Sequence, residues 1–469
     1  MPSAPAYFFH CKIPNMSPAC LLSDRLRWGT RSILALCMLT WAGAAPVSAE
    51  EPVSFRRDIA PILLENCLAC HGARKSEGGY RVDTFDEVQK PGDSGEGPIG
   101  HSAEEIGELV RRVAAEDASE RMPVDAAPLT SEQIALMSRW IQEGAKFDGM
   151  EPNQQLALVV PPAVYPDPPA NYARPVPATS VTFSPDGQQL IVGGYHELTV
   201  WNVVDGSLAR RIPNIGQRVF GMKFHHDGQR LAVACGEPGQ SGEVRVVDFE
   251  SGKVIDVLAR THDVVLDVAF RPQTSELAVG SADGMVRIVD VDTKQELRTL
   301  SSHADWVTAV AWSPDGSRLA SASRDKSVKV YDGSDGSLLA SYLGHEATVQ
   351  GVAFVGDGSE AVSTGDDHKL HRWTIADGKN IASVALGGVG FKPLVTPAFV
   401  LVPCADGRLL QIDLTSNSVV REFTGNSDWV LSATLQPSEQ LVASGAFDGK
   451  LHVWQAADAA SQRSWVAKP

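Results

Sequence analysis

Residues 303–331 read HADWVTAVAWSPDGSRLASASRDKSVKVY, and this stretch carries the plan of most of the chain. Ser313-Pro314-Asp315-Gly316 makes a tight turn between two strands of alternating apolar residues, because proline presets the first turn position and glycine accepts the left-handed backbone that follows. A third strand closes at Tyr331. Outward from it, aromatic or β-branched residues recur at the same place: Trp201, Val247, Val289, Tyr331, Trp373, Ile412 and Trp454, spaced by 46, 42, 42, 42, 39 and 42 residues. A period of this length belongs to small multi-stranded units that cannot bury their apolar faces alone and must stack on their neighbours. Seven units predict an all-β, seven-bladed propeller over residues 178–469. The same turn recurs at 184–187, with His225-His226-Asp227-Gly228 as a variant.

An acid stands six residues before most of the closing positions: Asp283, Asp325, Asp367, Asp406 and Asp448. On these features the C-terminal half resembles the WD40-repeat family. The resemblance implies that each aspartate pairs with a histidine from the preceding loop, here His262, His303 and His345 opposite Asp283, Asp325 and Asp367. Histidines that recur blade by blade do not converge on one point, so their expected role is structural and not metal-binding. Blade 6, around Phe391 to Leu414, lacks both the turn and the histidine, and blade 2 has a longer loop, Gly236 to Gly242. The outer strand of the last blade is expected either from the segment near Tyr172 or from Gln462 to Val466. Trp306 and Trp429, with Arg324 beside them in the adjoining turn, fall in loops on the face that WD40 proteins most often use for partners. Exposed tryptophan and arginine suit an interface; the alternative is that both tryptophans pack between blades.

The N-terminal part has a different periodicity and a different chemistry. Cys67-Leu68-Ala69-Cys70-His71 is a C-x-x-C-H sequence. Two thiols one helical turn apart can add across the two vinyl groups of a haem, and the next imidazole then serves as proximal iron ligand. A zinc site would need a second Cys/His pair at knuckle spacing, and a thioredoxin-like pair would need a βαβ setting. Neither pattern is present. Phe55 to Asn66 and Ala103 to Val113 read as amphipathic helices. A third is delimited by the Thr130/Gln133 capping box, an apolar face of Ile134, Met137, Trp140 and Ile141, and Gly144 at its end. This predicts a small all-α haem domain at 50–147, followed by a proline-rich, extended linker at 148–177. Candidates for the sixth iron ligand are His101, Met122 and Met137. Met122 is favoured because its loop lies just before the last helix, whereas Met137 belongs to a helix face. Trp140 is expected to pack near the haem or to fill the core.

Haem attachment of this kind takes place outside the cytoplasm, and the N-terminus fits. Arg25, Arg27 and Arg31 precede the apolar run Ile33 to Ala45, and Val47-Ser48-Ala49 supplies small residues, which reads as a signal peptide over 1–49. The expected localisation is extracytoplasmic, periplasmic or secreted, with no membrane span after cleavage. The formal net charge of -16 makes nucleic acid an improbable partner and favours a basic one. Of the seven cysteines, Cys11, Cys20 and Cys37 lie in the leader. Cys235 and Cys404 sit in apolar strand patterns and read as buried small residues.

Residues 52–147 further resemble the cytochrome c-like domain common in planctomycete exported proteins. The matching stretches are Phe55 to Leu63, Cys67 to Gly72, Gly78 to Asp83, Gly92 to Gly95, Arg121-Met122-Pro123, and Leu129 through Trp140 to Ala145. Pro91 departs from the glycine usual there. Fusion of such a domain to a WD40 propeller, with Gly193-Gly194-Tyr195-His196-Glu197 in the first blade, also resembles a recurring planctomycete arrangement. The resemblance implies one covalent haem c and single-electron transfer. The propeller would then dock a redox protein or another exported protein. A haem-bearing scaffold, or a redox or gas sensor acting through the propeller, is the alternative. No nucleophile–base pair, phosphate loop or separate carboxylate cluster points to an enzyme.

Overall fold

The computed structural model describes residues 51–73, 75–100, 107–124, 126–149, 151–301 and 303–469. The signal-peptide reading of 1–49 and the candidate ligand His101 lie outside the described residues. Ser54 caps the first helical segment by accepting a hydrogen bond from the Arg57 amide at 3.0 Å; one π turn, Phe55–Ile59, then runs into α1, Ala60–Asn66. Two short helices follow, α2 (Phe85–Val88) and α3 (Glu108–Val113). α4 spans Ser131–Gln142. It begins at the expected capping box: the Gln133 amide donates to Thr130 Oγ1 at 3.2 Å and the Thr130 amide to Gln133 Oε1 at 2.9 Å. Gly144, at φ +95°, ends it in a backbone region that favours glycine. Phe55, Ile59, Leu63, Val88, Met137 and Trp140 are buried together in one core.

The stretch 148–177 is not extended throughout, as its prolines predict. Between Pro152 and Pro161 no proline interrupts the chain, and Leu156–Val159 forms a single helical turn, α5, whose Leu156 and Val159 are buried in the helical core. Three arginines of the propeller then hold the segment. Arg260 donates to the carbonyls of Ala157 and Val160, Arg245 to that of Ala163 at 2.6 Å, and Arg211 to those of Pro169 and Ala170 at 2.8 and 3.0 Å. Arg245 is fully buried, paired with Glu243 at 2.6 Å, with its guanidinium 4.5 Å from the centre of the Tyr165 ring. Glu197 receives Arg211 at 2.6 Å and the Tyr172 hydroxyl. Burial of these charges is tolerable because each guanidinium finds an acid or carbonyls.

Beyond this segment the chain forms seven four-stranded antiparallel sheets, each in sequential strand order, at residues 181–213, 218–261, 265–300, 307–342, 349–385, 394–423 and 430–466. These are blades 1 to 7 of a propeller. Their apolar cores lie between neighbouring blades, as with Ile191, Val200, Val219 and Val233 between blades 1 and 2. The seven closing residues that set the repeat all sit where the pairing of third and fourth strands slips register, at Trp201, Val247, Val289, Tyr331, Trp373, Ile412 and Trp454. Such a bulge bends and twists a strand, and a large side chain there fills the wedge that opens. The Ser-Pro-Asp-Gly turns have Gly187 and Gly316 at φ +71° and +70°. The outer strand of blade 7 is C-terminal, Ser461–Val466, and blade 1 carries four strands of its own. The ring therefore closes by packing: the Ala178 amide donates to Ala446 O at 3.0 Å, Gln436 to Gly187 O at 2.8 Å, and Trp465 lies against Trp201. Among the described residues no helix is long and apolar enough to cross a membrane.

Candidate functional site

The end of α1 places the five-residue motif. The amides of Cys70 and His71 donate to the Cys67 carbonyl at 3.2 and 2.9 Å, so both sulfurs and the imidazole leave one continued turn. His71 Nδ1 lies 3.3 Å from the Tyr80 carbonyl. A carbonyl only accepts, so Nδ1 carries the hydrogen and Nε2 keeps its lone pair for a metal, the arrangement by which a backbone acceptor orients a ligating histidine. The His71 carbonyl in turn accepts from the Val82 amide at 2.7 Å. Burial, followed by the neighbouring Cys70, pushes the Cys67 thiol up to about 12. A thioredoxin-like redox pair would need the opposite shift.

Cys67, His71 and Met122 line one cavity of about 240 Å³, walled by Tyr80, Pro98, Leu109 and Val113. Met122 reaches it because its amide is held by the Arg112 carbonyl, one residue before the end of α3, at 3.0 Å. A thiol, an imidazole with a free nitrogen and a thioether around an apolar cleft form a donor set that fits a haem. Glu77, Asp93, Glu96 and Glu108 stand along the cavity; Glu77 pairs with Lys75 at 2.6 Å, Glu96 with Arg111 at 3.2 Å and Glu108 with Arg112 at 3.2 Å. Met137 is fully buried in α4. Trp140 is not among the cavity-lining residues. It lies 1 % exposed, 5.4 Å from the Phe55 ring, and its indole N–H donates to Lys146 O at 3.0 Å. It fills the core, because α4 turns that face toward α1 and not toward the cavity.

In the propeller, two of the expected histidine–aspartate ties are present. His303 Nδ1 meets Asp325 at 2.9 Å and Ser321 at Nε2, and His345 Nδ1 meets Asp367 at 2.8 Å and Ser363 at Nε2. The third is a correction. His262 is exposed, and Asp283 is taken by Arg287 at 2.6 Å. Arg287 stands on the third strand of blade 3, where its long side chain reaches the acid first. Asp406 likewise pairs with Arg408, and Asp448 accepts from Ser427. Cys235 and Cys404 are buried free thiols.

Trp306 and Arg324 are together: the guanidinium lies 4.2 Å over the indole and pairs with Asp305 at 2.9 Å. Trp429 is in blade 7, 51 % exposed, beside Phe447, a partner that the sequence reading missed. The two sites are on different blades.

The fold and the cavity define a small helical, cytochrome c-like domain joined to a WD40-type propeller. Comparison with known families agrees. Residues 67–125 match the family described as planctomycete cytochrome C, residues 294–332, 336–374 and 417–455 match the WD domain, G-beta repeat, and residues 258–312 match the anaphase-promoting complex subunit 4 WD40 domain. The chain thus joins a segment similar to planctomycete cytochrome C to a seven-bladed propeller with WD40 repeats, as in a haem-associated protein with a protein-interaction module. No curated protein matches the chain.

Proposed function

We propose that this protein is an exported monohaem c-type cytochrome that passes single electrons while its propeller docks a protein partner. The observation that carries the reading is the convergence of Cys67, His71 and Met122 on one apolar cavity. Cys67 and Cys70 would hold the haem covalently, His71 would be the proximal ligand and Met122 the distal one. When bound, haem c supplies a reversible one-electron iron couple. The rest is the work of the chain. Tyr80 O fixes the His71 tautomer, the Arg112 carbonyl holds the Met122 backbone, and Leu109 and Val113 give the cleft part of its apolar wall. Arg260 and Arg245 anchor the helical domain to blade 2, so a partner held by Trp306, Arg324 or Trp429 meets a fixed donor. The net charge of -16 favours a basic redox partner. The reading is tested by producing the full chain in a host that matures c-type cytochromes. One haem retained after denaturation, lost on Cys67→Ala with Cys70→Ala, and a reversible one-electron titration are expected. A protein without covalent haem, or one whose iron cannot be cycled, would overturn it.

A further inference from the structure

The innermost strands of the seven blades surround an axial channel of about 710 Å³. Blade 6 intrudes on it. Its innermost strand is only Leu394–Val395, and the preceding segment is displaced against blade 5, where a Cβ on Gly351 would lie 2.5 Å from Lys392 Cα and Pro393 Cδ. Only glycine leaves room for that approach. From there Lys392 spans the ring to blade 3: its ammonium pairs with Asp267 and donates to the Val310 carbonyl at 3.3 Å. Asp267 is 5 % exposed and also accepts from the Val310 amide at 2.9 Å.

Lys223, on the innermost strand of blade 2 (Arg218–Phe224), lines the same channel. Among the described residues its ammonium has no hydrogen-bond or ion-pair partner. Lys223 is exposed to the channel; the strands around it and the repulsion of Lys392 still hold its pKa below the usual lysine value, and Asp267 offsets this only in part. Arg324 is paired with Asp305 at 2.9 Å, while Asp366, on blade 5, keeps its negative charge beside the neutral amide of Gln350 at 2.8 Å. Asp267 neutralises one lysine of two. Beside Asp267, Lys223 is therefore the one cation, among the described residues, without an acid of its own.

We propose that the channel binds a small oxyanion, of the phosphate or carboxylate class, between Lys223 and the Lys392–Asp267 bridge. An ammonium has three donors, and Lys392 uses two, on Asp267 and Val310. Its third and those of Lys223, which lines the same channel, can converge on one anion. This site is independent of the haem reading.

The test is calorimetric titration of the full chain with inorganic phosphate and, separately, succinate, at constant ionic strength held with chloride. Saturable binding with a Kd of about 1 mM or tighter is expected for at least one, and which one titrates assigns the class. Lys223→Gln should weaken binding at least about tenfold, and Lys223→Arg, which keeps the charge, should restore most of it. No saturable binding of either anion, or equal binding by wild type and Lys223→Gln, overturns the proposal.

Discussion

The reading of Cys67, Cys70 and His71 is local, since attachment and proximal ligation would need only one turn of chain; the structure puts Cys67 and His71 on the cavity with Met122, while Cys70 is not among its lining residues. Trp140 was not legible, since a helix face does not say which neighbour it meets. Its place among Phe55 and Phe85 leads to a distinct expectation. Trp140→Phe should lower stability to urea by about 1–3 kcal/mol and leave the haem spectrum unchanged. His262 and Asp283 were misread for a similar reason. His262 precedes Asp283 by 21 residues where His303 and His345 precede their acids by 22, and Arg287 stands where blades 4 and 5 have Lys329 and His371. His345→Ala, which strips a buried acid and serine of their partner, should cost about 2–3 kcal/mol, whereas exposed His262→Ala should change stability by less than about 0.5 kcal/mol. Denaturant midpoints of the two variants check this. Burial also holds His371 and His452 down to about 4, against an ordinary 6.5. Between these values the unfolded chain binds more protons than the folded one. Stability should therefore be level above pH 6.5 and fall as the pH drops toward 4, as thermal melts across that range would show.

At the scale of elements, those that could be read carry their own stop and start signals. α4 begins at Thr130 and ends at Gly144 because the cap and the left-handed glycine are set within a few residues. Removing the cap with Thr130→Ala should cost about 1 kcal/mol, measured by urea unfolding. The strand repeat was equally legible, and its closing residues prove to mark the bulge of each blade. α5 was not foreseen. Its four residues have no cap, and what forms it is long-range: Leu156 and Val159 enter the helical core while Arg260 takes the carbonyls of Ala157 and Val160. Lys392 and Asp267, in blades 6 and 3, were invisible in sequence for the same reason, since only the closed ring brings them together.

The whole molecule is a ring sealed without strand exchange, carrying a small acid-edged helical domain fixed to one blade. Blades 1 and 7 each complete their own sheet, and their seam is held by side chains such as Trp201, Trp465 and Gln436. Under the proposed function, the overall charge of -16 would set the terms of electron exchange. Reduction by a basic redox protein should slow steeply as ionic strength rises, because screening shortens the reach of that field; stopped-flow rates at several salt concentrations measure it. The central claim is that Met122 and His71 enclose one haem iron. Its most direct measurement is the oxidised absorption spectrum of the full-length holoprotein beside that of Met122→Ala. The expected result is a weak methionine-to-iron band at the red edge of the wild-type spectrum, lost in the variant together with a fall in midpoint potential. Wild-type protein without the band, or a variant with the same spectrum and potential, would contradict it.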